Sequence, residues 1–245
     1  KEALLDDVTS LTEAQERLWA SKDCSVLIIL QAMDAAGKDG TIKHVMSAVN
    51  PQGCSVHAFG PPTDEERLHH FLWRPARFLP ERGRIAIFNR SYYEEVLVVR
   101  VHPEWLDKQW TPHHLRGKPL EERWESRYKE INEFEHRLTR HGVVILKFFL
   151  HVSREEQRER LLARLDDPHK NWKFSEADVK ERAFWDDYRK AYEDMLGATS
   201  TEESPWHVIP ADKKWFRDLV AAQIKVTQKL AADVFLPWAP VVEHG

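Results

Sequence analysis

The stretch Val26-Leu-Ile-Ile-Leu30-Gln31-Ala-Met-Asp-Ala-Ala-Gly37-Lys38-Asp-Gly40-Thr41 decides how this chain reads. Val26 to Leu30 is a short, β-branched apolar run without alternation. That pattern predicts a strand buried on both faces, as in a parallel sheet. Thr41 to Val49 reads as a helix, stopped by Asn50-Pro51. Between strand and helix lies a loop suited to phosphate, which needs several N–H donors converging at a helix start and a cation beside them. Gly37 and Gly40 have no Cβ, so the backbone can come close to phosphate oxygens. Lys38 is placed to reach terminal phosphates. The loop departs twice from the usual G-x-x-x-x-G-K-[ST] pattern. Ala32 replaces the first glycine, and Asp39 replaces the hydroxyl that normally helps hold Mg²⁺. A turn capped by a surface lysine is the competing reading. The flanking strand and helix, and an acid inside the loop, favour phosphate.

Working outward, Ser10-Leu-Thr-Glu13 reads as a capping box opening a first helix through Leu11, Ala14, Leu18 and Trp19. Further strands are expected at Cys54–Phe59, Arg84–Phe88, Val143–Leu150 and Trp206–Ile209. Helices are expected at Glu65–Leu79 (interrupted near Pro75), from Tyr92, along the face Leu120, Trp124, Tyr128, Ile131, Phe134 and Leu138, from Ser153, at Ser175–Leu196 with Gly197 as its stop, and from Asp212. Pro103 to Pro119 reads as irregular. Strands alternating with helices predict an α/β fold, a three-layer α/β/α core around a parallel sheet. Residues 1–245 read as one domain, with the mostly helical stretch 153–196 as a lid within it.

Bulk composition bounds the function. The 245 residues carry 36 basic and 40 acidic side chains, a formal charge of −4, so any anion site must be local rather than part of a global basic field. Basic residues are interleaved with acids and the tryptophans fall mostly at helical core spacing, which argues against a nucleic-acid partner. No apolar run approaches the roughly 18–20 residues needed to span a bilayer, so no membrane partner is expected. Cys24 and Cys54 each open an apolar run and read as buried, reduced thiols. With no signal peptide in view, a cytoplasmic location is expected.

Two more constellations carry chemistry. In Ile85-Ala-Ile-Phe-Asn89-Arg90-Ser-Tyr-Tyr-Glu94-Glu95 a buried strand ends in polar groups, which would face the first loop beyond the strand ends. The Arg90 fork suits a phosphoryl group; a structural Arg–Glu pair at a helix start fits equally well. In the third, Arg160 and Arg164 share a helix face, and the polar break Asp166-Asp-Pro-His-Lys170-Asn-Trp172-Lys173-Phe174 follows. Glu155, Glu156 and Glu159 offer these arginines ordinary surface pairs. The adjacent pairs His69-His70 and His113-His114 do not have metal-ligand spacing. Trp105, Trp110, Trp185 and Trp215 read as packing or subunit contacts, and Trp172 stands apart because it lies inside the break.

Together, Gln31–Gly40, Phe88–Glu94 and Asp166–Ser175 resemble the second family of polyphosphate kinases. Three separated motifs in the right order are more specific than any one. The resemblance runs from roughly Leu11 to Leu230. It implies a P-loop kinase-like core with a helical lid, and Mg²⁺-dependent, reversible transfer of the terminal phosphoryl of inorganic polyphosphate to a nucleotide. Asp34, Lys38 and Gly40 then match the family's phosphate loop, with Ala35, Ala36, Gly37, Asp39, Thr41 and Asn89 as further substrate contacts. Arg90 matches its second-motif arginine. Asp34, Lys38 and Arg90 would be the catalytic set. Arg160, Arg164, Lys170 and Lys173 would bind polyphosphate from the lid. Asn89 stands where many members carry an acidic metal ligand, which leaves Asp34 and Glu94 as the expected metal ligands. Asn89 followed by Tyr-Tyr-Glu-Glu-Val-Leu-Val-Val-Arg100-Val-His resembles the subgroup acting on both AMP and ADP, with Arg100 as a substrate contact. Adenine nucleotides and a homo-oligomeric assembly are the implied partners. Asp212-Lys-Lys214 resembles a nucleotide-base loop of related kinases. An ATP-dependent nucleoside monophosphate kinase and a non-catalytic phosphate-binding protein stay open as alternatives; the former shares the core and lid but not the substitution at Asp39.

Overall fold

The computed structural model describes residues 2–47, 49–169, 171–214 and 216–218. Five strands, β1 (Ser25–Gln31), β2 (Cys54–Ala58), β3 (Ile85–Asn89), β4 (Val143–His151) and β5 (Trp206–Pro210), form a parallel sheet in the order β2-β3-β1-β4-β5. All seven residues of β1 are buried. Successive side chains go to opposite faces. Ile28 and Leu30 join Leu11, Leu18, Ile87, Phe148 and Leu150 on one side. Leu27 and Ile29 join Phe88, Ile131, Phe149 and Met195 on the other. Two cores on one sheet explain why β1 shows no polar alternation.

The helices are α1 (Glu2–Ser21), α2 (Lys38–Val45), α3 (Asp64–Arg67), α4 (Trp73–Ala76), α5 (Val98–Val101), α6 (Leu120–Arg140), α7 (Arg154–Asp166), α8 (Glu176–Glu181) and α9 (Trp185–Thr199). Several expected bounds change. α1 opens at Glu2, so Ser10 lies inside it; the preceding Glu, Ala and Leu residues are themselves good helix formers. α2 starts at Lys38 and ends at Val45. The helix expected over Glu65–Leu79 divides into α3, closed at its start by a Thr63–Glu66 capping box, and α4. Tyr92–Val96 is a 3₁₀ turn, capped by the Ser91 hydroxyl accepting from the Tyr93 N–H. The stretch from Ser175 is broken by a 3₁₀ turn at Arg182–Phe184, and α9 passes Gly197 to end at Thr199. Cys24 is buried, whereas Cys54 at the start of edge strand β2 is only half-buried.

Two features position the site. After β1 the chain builds β2 and β3 on one side, then crosses to β4 and β5 on the other, so the winding reverses at β1. Ligands of such sheets lie beyond the carboxyl ends of the strands at that reversal. The register pairs Leu30 with Asn89, which brings the loop after β1 beside Asn89 and Arg90. The second feature is a buried polar cluster. Lys147 on β4 is fully buried and donates to Glu135 Oε2 (2.6 Å), Tyr93 Oη (3.0 Å) and the Thr199 carbonyl (2.7 Å). Glu135 also accepts from the hydroxyls of Tyr92 (2.7 Å), Tyr93 (2.6 Å) and Ser204 (2.9 Å). These bonds anchor the turn that follows Arg90 to the sheet.

Candidate active site

The loop after β1 turns sharply. Ala35 (φ 59°) and Gly37 (φ 103°) are both left-handed, and only glycine takes that conformation without steric cost. Gly37 has a second reason to lack a side chain: a Cβ there would lie 1.9 Å from Arg217 Nη1. At the end of β3, Arg90 is also left-handed (φ 64°). Its guanidinium donates to Asp34 Oδ1 at 2.9 Å. Beside it, Asn89 Nδ2 donates to Asp39 Oδ1 at 2.9 Å. An acid at position 89 would face the Asp39 carboxylate, so the amide turns a repulsion into a hydrogen bond. Lys38 Nζ donates to the Ala32 carbonyl at 2.9 Å, across the loop that it closes.

Asp34, Ala35, Gly37, Lys38, Asp39, Asn89 and Arg90 line a cleft with Gly60, Arg164 and Trp172. Burial and then the neighbouring Arg90 lower the pKa of Lys38, against the opposing pull of Asp34, Glu94 and Asp39. Burial works against the Arg90 charge too, but Glu94 and Asp34 outweigh it and raise the Arg90 pKa. Burial raises the pKa of Glu94, with Arg90 and Lys38 pulling the other way. Two cations, Lys38 and Arg90, are therefore grouped with three acids, Asp34, Asp39 and Glu94. Cations pressed together in this way are suited to receive an anion.

The sequence-predicted residues divide into three groups. Asp34, Ala35, Gly37, Lys38, Asp39, Gly40, Asn89, Arg90 and Arg164 come together around the cleft. Glu94 lies next to them, in an adjoining cavity that also touches Asp34 and Arg90. A second group is engaged elsewhere. Thr41 is buried, its hydroxyl donating to the Gly37 carbonyl (3.2 Å) and Asp218 Oδ1 (3.4 Å). Ala36 is buried as well. Arg100 is outside the cleft, donating to Tyr128 Oη (2.6 Å) and pairing with Asp194. Arg160 spends its donors on the protein: Glu156, the carbonyls of Ala35 and Ala36, and those of Ala211 and Asp212. Lys170 and the side chain of Lys173 form the third group and lie outside what the structure describes.

Other residues at the site were not singled out by sequence. Asp178 on α8 pairs with Arg164 at 2.9 Å, where the sequence points to the surface acids of α7. Gln157 Nε2 donates to the Asp34 carbonyl at 3.1 Å. It lies three residues before Arg160 on the same helix face, a spacing that could have marked it. Buried Arg217 donates to the Ala36 carbonyl at 3.1 Å, and nothing in its local sequence signals this. The adjoining cavity is walled by Trp105, Trp185, Tyr188 and Tyr192. Trp105 and Trp185, expected as packing or subunit contacts, thus line a space open to Arg90 and Asp34. Among the described residues no three His, Cys, Asp or Glu side chains form a metal cage, and no helix is long and apolar enough to cross a membrane.

The chain is similar to known proteins over nearly its whole length. An ADP-polyphosphate phosphotransferase of Rhodopseudomonas palustris is 53% identical over 224 residues, covering 91% of this chain and 76% of that protein. An AMP/ADP-polyphosphate phosphotransferase of Meiothermus ruber is 48% identical over 216 residues, covering 88% and 76%. The crystal structure of polyphosphate kinase 2 from Arthrobacter aurescens TC1 superposes with a TM-score of 0.82 at 45% identity, covering 91% of this chain and 75% of that one. Residues 1–234 match the family described as Polyphosphate kinase 2. With a phosphate loop, an arginine and a lysine converging at the winding reversal of a parallel sheet, the chain belongs to the polyphosphate kinase 2 family.

Proposed function

We propose that this protein transfers the terminal phosphoryl group of inorganic polyphosphate to AMP and ADP, reversibly and with Mg²⁺. The observation that carries this is the convergence of Lys38, Arg90 and Asp34 where a cation-lined cleft meets an aromatic cavity. The cleft suits a chain of phosphates. The cavity, with two tryptophans and two tyrosines, suits a nucleoside, because every base has a face that stacks. Family membership favours polyphosphate over ATP as donor, which sets this reading above a nucleoside monophosphate kinase or a non-catalytic phosphate binder.

The acceptor oxygen belongs to a phosphate whose second pKa is about 6, so it is largely ionised at neutral pH and needs no strong base. The protein's task is to position two polyanions and spread the charge of the transferring group. Lys38 and Arg90 do so from two strand ends, with Asp34 holding the Arg90 fork in place. Mg²⁺ binds through one or two carboxylates plus substrate phosphates rather than through a full protein cage. The half-buried Asp34 and Glu94 fit that donor set, with Asn89 contributing no charge. A bound Mg²⁺ would supply neutralisation of phosphate charge there. Residues 153–196 act as a lid, contributing Arg164 and Trp172 to the cleft and Tyr188 and Tyr192 to the cavity.

The test incubates the protein with polyphosphate, Mg²⁺ and either AMP or ADP, and resolves the nucleotides by chromatography. ADP from AMP and ATP from ADP are expected. Turnover of AMP with ATP, but none of ADP with polyphosphate, overturns the assignment.

A further inference from the structure

The carbonyl of Ala36 receives two guanidinium groups, Arg160 Nη1 at 2.9 Å and Arg217 Nη1 at 3.1 Å. The two come from opposite parts of the chain, one from α7 and the other from the segment after β5. Arg160 Nη1 also reaches the Ala35 carbonyl (3.1 Å), and its Nη2 bridges to the carbonyls of Ala211 (2.6 Å) and Asp212 (3.0 Å). With Nε on Glu156 (2.8 Å), all five N–H donors of the fork have acceptors within the protein. Arg217 is 2% exposed, donates from Nε and Nη2 to Asp218 Oδ1 (2.8 and 2.7 Å), and lies against Gly37.

A trans peptide is planar, so the N–H of residue i+1 points opposite to the carbonyl of residue i. Drawing the Ala36 carbonyl toward two cations therefore turns the Gly37 N–H the other way, on the wall of the cleft that Gly37 lines. The same pull polarises that peptide and makes its N–H a stronger donor. We infer that Arg160 and Arg217 are positioning residues that fix the phosphate loop in its anion-receiving conformation and do not themselves hold substrate. The inference rests on reading residues 32–40 as the phosphate loop. It also means that α7 and the segment just after β5 jointly set the loop's shape.

The test compares the full chain with Arg160→Ala, Arg217→Ala, Arg160→Lys and Arg217→Lys. Thermal melting follows folding. Calorimetry measures binding of tripolyphosphate alone. Steady-state kinetics with ADP use tripolyphosphate and a long-chain polyphosphate as donors. The alanine variants are expected to lose about 10- to 100-fold in kcat, the scale for groups that orient a ligand without touching it, and to bind tripolyphosphate more weakly. The loss should be the same for both donors, and added guanidinium ion should recover part of it. A loss that grows with donor length marks direct contact with the polymer and overturns the inference. So does near-parental kcat, or a folded alanine variant that guanidinium leaves unchanged. Should an alanine variant fail to fold, its lysine counterpart, which keeps the charge but loses the fork, carries the same comparison. An inactive parent chain counts against the proposed function alone, because tripolyphosphate calorimetry still reads the clamp.

Discussion

Two lysines of this protein, Lys147 on β4 and Lys38 at the start of α2, do opposite things. Lys147 has no exposed surface, and its three donors meet a carboxylate, a phenol and a carbonyl. Lys38 is half-buried, makes one bond to the Ala32 carbonyl, and stands beside Arg90, which lowers its pKa together with burial. A fully satisfied buried cation holds structure. A cation with donor capacity left over and a like charge beside it is held ready for an anion. The difference lies in satisfaction rather than depth.

Breaking the first lysine should produce the largest effect on stability. Lys147→Ala leaves Glu135 buried without its cation, and is expected to cost about 3–5 kcal/mol in urea unfolding, as for other broken buried pairs. Turnover per folded molecule should fall far less than in Lys38→Ala, because Lys147 acts on the site only through the turn it anchors; activity normalised to the folded fraction would check this. Lys38→Ala should do the reverse, lowering kcat by ~10²-fold or more, as when one preorganised donor is removed, with an unchanged unfolding midpoint. If both variants lost stability and kept kcat, the distinction between the two lysines would collapse.

A smaller change tests the acids grouped around Lys38 and Arg90. Glu94→Gln should raise the Mg²⁺ concentration for half-maximal turnover about tenfold, or roughly 1.4 kcal/mol. A metal titration of initial rates reads it, and an unchanged midpoint would remove Glu94 from the metal site. The smallest expected effect is in pH. Because burial and Arg90 lower the Lys38 pKa, its charge, and turnover with it, should fall as pH rises through a value below the ordinary lysine range. Stability moves the other way. Over that window the unfolded chain still binds the proton that the folded state has lost, so unfolding free energy rises with pH. A pH–rate profile of Lys38→Arg should show the alkaline limb displaced upward.

Much of the site was legible because it is local in sequence. Loop, lysine and helix are contiguous, and Asn89-Arg90 closes a strand whose apolar run is unmistakable. Lys147 was not legible. It stands inside the run Val143–Leu150, and the periodicity reads straight through it, since one polar residue among eight leaves the pattern intact. Arg160 was visible as a residue, but its partners were not. Helix-face spacing puts it beside Arg164, but only the packing of α7 against the loop reveals that its donors are consumed. Arg217 had no signal, since a lone arginine after the last strand has no local pattern to mark it.

The sequence alone determined the strands, the phosphate loop with its lysine, the arginine facing it, and the family. Each is a short-range pattern of burial, turn chemistry or motif order. Tertiary structure decided the sheet order, the aromatic cavity around Trp105 and Trp185, the exchange of Asp178 for a surface acid as the partner of Arg164, and the pair of guanidinium groups behind Ala36. The last of these depends on residues that meet across more than a hundred positions, 124 between Ala36 and Arg160 and 181 between Ala36 and Arg217. Hydrogen-bond saturation at that range follows from how the layers pack, and local propensity carries no record of it.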